Sequence, residues 1–132
     1  MPFVVDASIS ACWLLPDERD DRADDVMARF GDDLGLAPDI WWFEVHNLLL
    51  TSERRKRISP DRTEAGLSLL LNLPIELDNQ RDAIVVLDLA RRHNLTFYDA
   101  AYLELALRKT ADLASRDTAL IAAARAEQVP VL

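Results

Sequence analysis

The chain has 132 residues, enough to bury one core without disulfide or metal staples, and nothing in its composition marks a linker, so residues 1–132 are expected to form a single domain. Hydrophobic residues make up 50% and charged residues 29%, the balance of an ordinary globular chain and not of a disordered or membrane-spanning one. A net charge of -8 argues against a broad basic surface that grips nucleic acid by phosphate neutralisation alone, but leaves room for a site where clustered acids meet their substrate through a divalent cation.

Phe3-Val4-Val5 is a short β-branched run that predicts a buried strand ending at Asp6. The apolar amino terminus is cut by Asp6 and has no basic segment before it. With no later stretch long enough to span a bilayer, this predicts a cytoplasmic protein. Ala7 to Leu15 reads as a short helix halted by Pro16. The single cysteine, Cys12, lies within it as an expected buried small hydrophobe, and an internal disulfide is ruled out. Asp17 to Phe30 reads as a second helix stopped at Gly31. Its charge run Asp20-Asp21-Arg22-Ala23-Asp24-Asp25 has mixed sign, which suits a solvated face better than a metal cluster.

Leu34-Gly35-Leu36-Ala37 predicts a second strand that leads through Pro38-Asp39 into a helix from Ile40 to Lys56. On that helix Trp41, Val45, Leu48 and Leu49 fall together. Glu44, Asn47, Thr51 and Arg54 make a polar stripe that either faces water or forms the lip of a pocket. The cluster Arg54-Arg55-Lys56-Arg57 either complements the carbonyl end of this helix or contacts RNA or a partner. Ser59-Pro60-Asp61 opens a helix through Leu73, with Leu67, Leu70 and Leu71 expected to pack inward. Pro74-Ile75-Glu76-Leu77-Asp78 reads as a third strand. Arg81 to Arg92 reads as a helix with Ile84, Val85, Leu87 and Leu89 inward, stopping at His93-Asn94.

The next helix opens in Leu95-Thr96-Phe97-Tyr98-Asp99 and runs to about Thr110. Asp99 shares its inward stripe with Tyr102, Leu103 and Ala106, an odd place for a carboxylate. Thr96 followed by Asp99 fits a capping box, and a negative charge in the first turn suits the helix dipole, so capping and a functional role both stand open. Asp112-Leu113-Ala114-Ser115 predicts a fourth strand, Asp117 to Glu127 a terminal helix, and Val129-Pro130-Val131-Leu132 an edge strand. Strands alternating with helices predict an α/β fold, a three-layer α/β/α sandwich around a mostly parallel sheet of four to five strands.

In such sheets ligands bind at the carboxyl ends of the strands. Asp6 ends the first strand, Asp117 follows the fourth, Asp99 opens the intervening helix and Glu44 reaches in from its own, so the four carboxylates can meet at one edge. Gathered acids raise one another's pKa unless a cation neutralises them, and an oxygen-only set suits Mg²⁺ or Mn²⁺ and not Zn²⁺. Plainer roles also fit: Asp117 as the N-cap of the last helix and Asp6 as a strand-ending turn residue. Asp39 and Asp78 lie near strand ends too, so position alone does not choose the four.

Val4-Val5-Asp6-Ala7-Ser8, Glu44 with Asn47 in a Pro38-led helix, Tyr98-Asp99-Ala100-Ala101-Tyr102 and Leu113-Ala114-Ser115-Arg116-Asp117 resemble, in order, the successive motifs of PIN domains, most closely those of VapC toxins from toxin–antitoxin pairs. The resemblance spans essentially the whole chain. It implies a metal-dependent endoribonuclease that cleaves single-stranded or loop RNA by attack of a metal-activated water on a phosphodiester, leaving a 5′-phosphate and a 3′-hydroxyl. Asp6 and Asp99 match positions that bind the metal, Mg²⁺ or Mn²⁺, directly; Glu44 and Asp117 match further ligands or water-orienting groups. Ser8 and Ser115 match supporting hydroxyls, with Ser115 standing where threonine is frequent. A homodimer and a cognate VapB-type antitoxin are also implied. His46 and His93 have no part in this scheme and are expected to be structural or surface residues.

Two other readings compete. A phosphoacceptor receiver-like domain would use a strand-end acid such as Asp78, but wants paired acids after the first strand and a lysine after a late one, and the sequence offers neither. A catalytically inactive PIN-like binding module would not need the intact quartet.

Overall fold

The computed structural model describes residues 1–132. Four parallel strands, β1 (Phe3–Val5), β2 (Gly35–Pro38), β3 (Ile75–Asp78) and β4 (Asp112–Ala114), form one sheet in the order β3-β2-β1-β4. Each crossover carries a pair of helices: α1 (Ala7–Leu14) and α2 (Asp21–Arg29), then α3 (Ile40–Arg54) and α4 (Pro60–Asn72), then α5 (Ala83–His93) and α6 (Phe97–Lys109). A last helix, α7 (Thr118–Ala126), follows β4. Helix α1 packs on both α2 and α3, and α3 on α4, while α6 lies against β1, β2 and β4 with α5 and α7 beside it. The result is the expected α/β/α sandwich. Covered on both faces, β1 is wholly buried, which is why it reads as an unbroken apolar run.

The expected fifth strand shrinks to one parallel bridge between Leu113 and Val131. Leu113 donates its N–H to the Pro130 carbonyl and accepts from Leu132, while Pro130 has no N–H to extend the ladder. Helix α2 begins at Asp21 and not Asp17, because Pro16 and Asp17 form a turn and the Asp20 carboxylate caps the helix through the Arg22 N–H at 2.8 Å.

Two inward faces differ from expectation. On α5, Val86 and Leu89 are buried, whereas Ile84 is 80% exposed and Val85 and Leu87 are also exposed. On α4, Leu71 is 86% exposed, while Gly66 is buried against Leu49 of α3 so closely that a Cβ on it would sit 2.9 Å from a leucine methyl. Both helices carry apolar residues around more than one face, so periodicity does not say which face the core takes.

Candidate active site

Because the strands are parallel, their carboxyl ends line a single edge of the sheet. The chain steps outward from β1 to β2 to β3 and then returns to β4 on the other side of β1, so the topological switch point falls between β1 and β4. Asp6 leaves β1 there, and Ser115-Arg116-Asp117 leaves β4 there.

Asp6 is buried and tightly held. Its Oδ1 accepts from the Ser8 hydroxyl at 2.7 Å and the Ile9 N–H at 3.0 Å, and its Oδ2 accepts from the Ser115 hydroxyl. The Ile9 bond makes Asp6 the N-cap of α1. Burial pushes its carboxyl above the usual range; the Ser115, Ile9 and Ser8 bonds oppose this and the charge of Asp117 adds to it. The two serines also anchor the β4–α7 turn, since Ser115 accepts the Asp117 N–H at 3.0 Å and Ser8 accepts the Arg116 N–H at 2.8 Å. Asp117 caps α7 through the Leu120 N–H at 2.9 Å.

Asp99 stands half-buried in the first turn of α6. The Thr96 hydroxyl accepts its N–H at 3.0 Å, but the reciprocal bond of a full capping box is not made. Burial and then the charge of Asp117 raise its carboxyl, against the Thr96 hydroxyl. Glu44, half-buried on α3, accepts from the Tyr102 hydroxyl at 2.5 Å. Burial raises its carboxyl, the Tyr102 bond opposes the rise, and the charges of Asp99 and Asp6 add to it. Mutual repulsion thus links all four carboxylates at one edge.

None of the four forms an ion pair, and the other strand-end acids differ from them in this. Asp39 is bound by Arg81 at 2.8 Å, and Asp78 by Arg108 at 2.8 Å with Lys109 at 3.7 Å. Charge neutralisation makes the distinction that position alone could not. No three His, Cys, Asp or Glu side chains in the molecule stand close enough, as oriented, to form a ready-made metal cage. The donor chemistry nevertheless fits a hard divalent cation: oxygen atoms only, and carboxylates with no basic side chain to offset their charge.

Glu44, Asn47 and Thr51 of the polar stripe line a groove of about 460 Å³ together with Ser8, Ala11 and Glu18, so the stripe does form the lip of a pocket. His46 stacks on Trp42 at 4.2 Å, and His93 bonds Glu127 at 2.7 Å; neither touches the acids. Cys12 is buried as expected, with the added feature that its Sγ accepts from the Arg116 guanidinium at 3.2 Å. Tyr102 and Arg116 therefore join the site's surroundings in ways helical spacing does not show. For Tyr102 one signal was present: a phenol on a fully inward stripe requires a polar partner.

With this geometry in place, the comparisons with known proteins agree with one another. The PIN domain family model matches residues 3–126. The chain is 33% identical over 135 residues to Ribonuclease VapC3 of Pyrobaculum aerophilum, covering 100% of this chain and 98% of that one. Its fold is similar to VapBC2 from Rickettsia felis, crystallised bound to a DNA fragment from their promoter, with a TM-score of 0.71 at 12% identity over 100% of this chain and 98% of that chain. It is also similar to VapC20 of Mycobacterium tuberculosis, a sarcin-ricin loop cleaving toxin, with a TM-score of 0.61 at 17% identity over 92% and 94%. The chain belongs to the PIN-domain family, and its likeness runs to VapC proteins as its motif order implies.

Proposed function

We propose that this protein is a VapC-type toxin, a metal-dependent endoribonuclease that cleaves single-stranded or loop RNA and is held in check by a cognate antitoxin. The observation that carries the reading is the convergence of Asp6, Glu44, Asp99 and Asp117, without a basic partner, at the switch point of the sheet. The similarity to a named ribonuclease and to a toxin that cleaves the sarcin-ricin loop supports the substrate class, and the likeness to VapBC2 supports an antitoxin partner.

Asp6 and Asp99 are the residues assigned to hold the cation, with Glu44 and Asp117 completing the set or orienting the attacking water. Ser8 and Ser115 fix the Asp6 carboxylate, so it presents a preorganised oxygen pair and does not need to be ordered during reaction. A divalent cation held by these carboxylates would supply a water of lowered pKa and positive charge opposite the scissile phosphate and leaving oxygen. The groove lined by Ser8, Glu44 and Asn47 opens beside Glu44 and offers an RNA strand a path to that acid. A receiver-like reading finds its acceptor, Asp78, already committed to Arg108 and Lys109.

A homodimer is part of the same reading. The exposed Ile84, Val85 and Leu87 of α5, with Phe97 and Tyr98 at the start of α6, leave apolar surface for a second copy to cover. Purified protein is expected to cut single-stranded RNA with Mg²⁺ or Mn²⁺ and to stop on chelation. Asp6→Ala and Asp99→Asn should each abolish cutting with the circular dichroism of the fold unchanged. Full metal-dependent activity in Asp99→Asn would overturn the site assignment.

A further inference from the structure

Tyr102 lies on the inward stripe of α6 and is 1% exposed. A phenylalanine would fill the same volume, so it is the hydroxyl that calls for a reason, because a buried O–H must find a partner. That partner is Oε1 of Glu44, 2.5 Å away on α3, and neither side chain makes another hydrogen bond. The same stretch of α3 is tied to α1 by the Trp41 indole N–H, which donates to the Ser10 hydroxyl at 2.9 Å; Ser10 in turn donates to the Asp6 carbonyl at 2.8 Å. The backbones of α3 and α1 are thus fixed relative to Asp6. The long Glu44 side chain, half-buried at the groove, has rotamers of its own that this backbone anchoring does not fix.

We propose that Tyr102 is a positioning residue that holds the Glu44 carboxylate beside Asp6 and Asp99, in place for the divalent cation. It engages one oxygen and leaves the other for the site. It touches neither cation nor RNA and acts through Glu44 alone, as outer partners of metal ligands do. The proposal rests on the reading of the four acids as a metal-binding set.

Tyr102→Phe keeps the ring and its packing. Isothermal titration of Mn²⁺ into metal-free protein should show binding weakened roughly 10-fold or more against wild type, with metal-free thermal unfolding nearly unchanged. Glu44→Ala should also weaken binding, and adding Tyr102→Phe to it should cost less than about twofold more, since the hydroxyl has then lost its target. Unchanged Mn²⁺ affinity in Tyr102→Phe, or effects of the two substitutions that simply add, would overturn the positioning role. A second measurement leaves Tyr102 intact: the chain has two tyrosines, and the ¹³Cζ resonance of Tyr102 should shift in Glu44→Ala while that of Tyr98 stays in place. If neither moves, the hydrogen bond is not made in solution and the proposal falls. Failure of the wild type to bind Mn²⁺ would overturn the metal reading along with it, whereas loss of the Tyr102 effects alone overturns only the positioning role.

Discussion

Asp6, Glu44 and Asp99 are each harder to ionise in the fold than in the unfolded chain, burial being the largest cause in all three. Above the ordinary carboxylate values of 3.8 and 4.5 the folded state therefore binds more protons than the unfolded state, and stability falls as pH rises through the raised folded values. Asp78 behaves in the opposite way. Arg108 depresses its pKa, so its contribution is present above 3.8 and is lost as pH falls through its lowered value. In the absence of divalent cation, thermal unfolding should therefore shift upward on going from neutral to mildly acidic buffer, before strongly acidic buffer removes the Asp78 contribution. By the same reasoning Asp6→Asn should unfold at a higher temperature than wild type at neutral pH while losing cleavage. Asparagine caps a helix as well as aspartate does, and the substitution removes a buried charge. Added Mg²⁺ should raise the unfolding temperature of wild type and leave that of Asp6→Asn nearly unmoved.

At the scale of elements, capping roles and site roles coincide. Asp6, Asp20, Ser59, Asp82, Thr96 and Asp117 each accept a backbone N–H at a helix start, and for Asp6 and Asp117 this same bond fixes an acid of the proposed site. Asp117 is the cap its position suggests, and Asp6, expected as a turn residue, caps a helix too; neither cap precludes the proposed ligand role, since a carboxylate has lone pairs for both. The helix ends are less well served. Thr110 closes α6 at φ 50°, a left-handed conformation that burdens a β-branched residue, whereas Asn94 closes α5 at φ 52° with a side chain that tolerates it. Thr110→Gly should stabilise the protein by about 1 kcal/mol, seen as a rise of a few degrees in unfolding temperature, with cleavage unaffected.

For the whole molecule, a charge of -8 fits the proposed RNA substrate only through a cation bound among the acids at the switch point, as that proposal requires. Elsewhere many acids are paired, among them Asp33 with Arg29, Asp112 with Arg29, and Glu127 with Arg92. The apolar surface left by α5 belongs to this scale as well. Ile84→Glu should place a charge in the middle of the proposed homodimer contact and shift sedimentation toward monomer, while the folded protomer is retained because Ile84 contributes nothing to its own core. A dimer that survives this substitution would place the contact on another face.

The order and type of the elements were legible from the sequence because each depends on local chemistry: an apolar run bounded by Asp6, Pro16 before a turn, Ser59-Pro60 at a helix start, Asn94 at a helix end. So were the motifs that identify the family. What local chemistry leaves free was settled by tertiary packing. Val86 rather than Ile84 faces inward because α5 meets α6 on that side, and the reason lies outside α5 itself. The meeting of Asp6 with Ser115 across 109 positions follows from β4 returning beside β1, a pairing no spacing encodes. Neutralisation of Asp39 and Asp78 depends on Arg81, from the segment before α5, and Arg108, from α6, and only then do these acids separate from Asp6, Glu44, Asp99 and Asp117. The sequence by itself determined which carboxylates were available at the strand ends; the tertiary structure decided which of them stayed without a counter-charge, because electrostatics acts through distance in space and not along the chain.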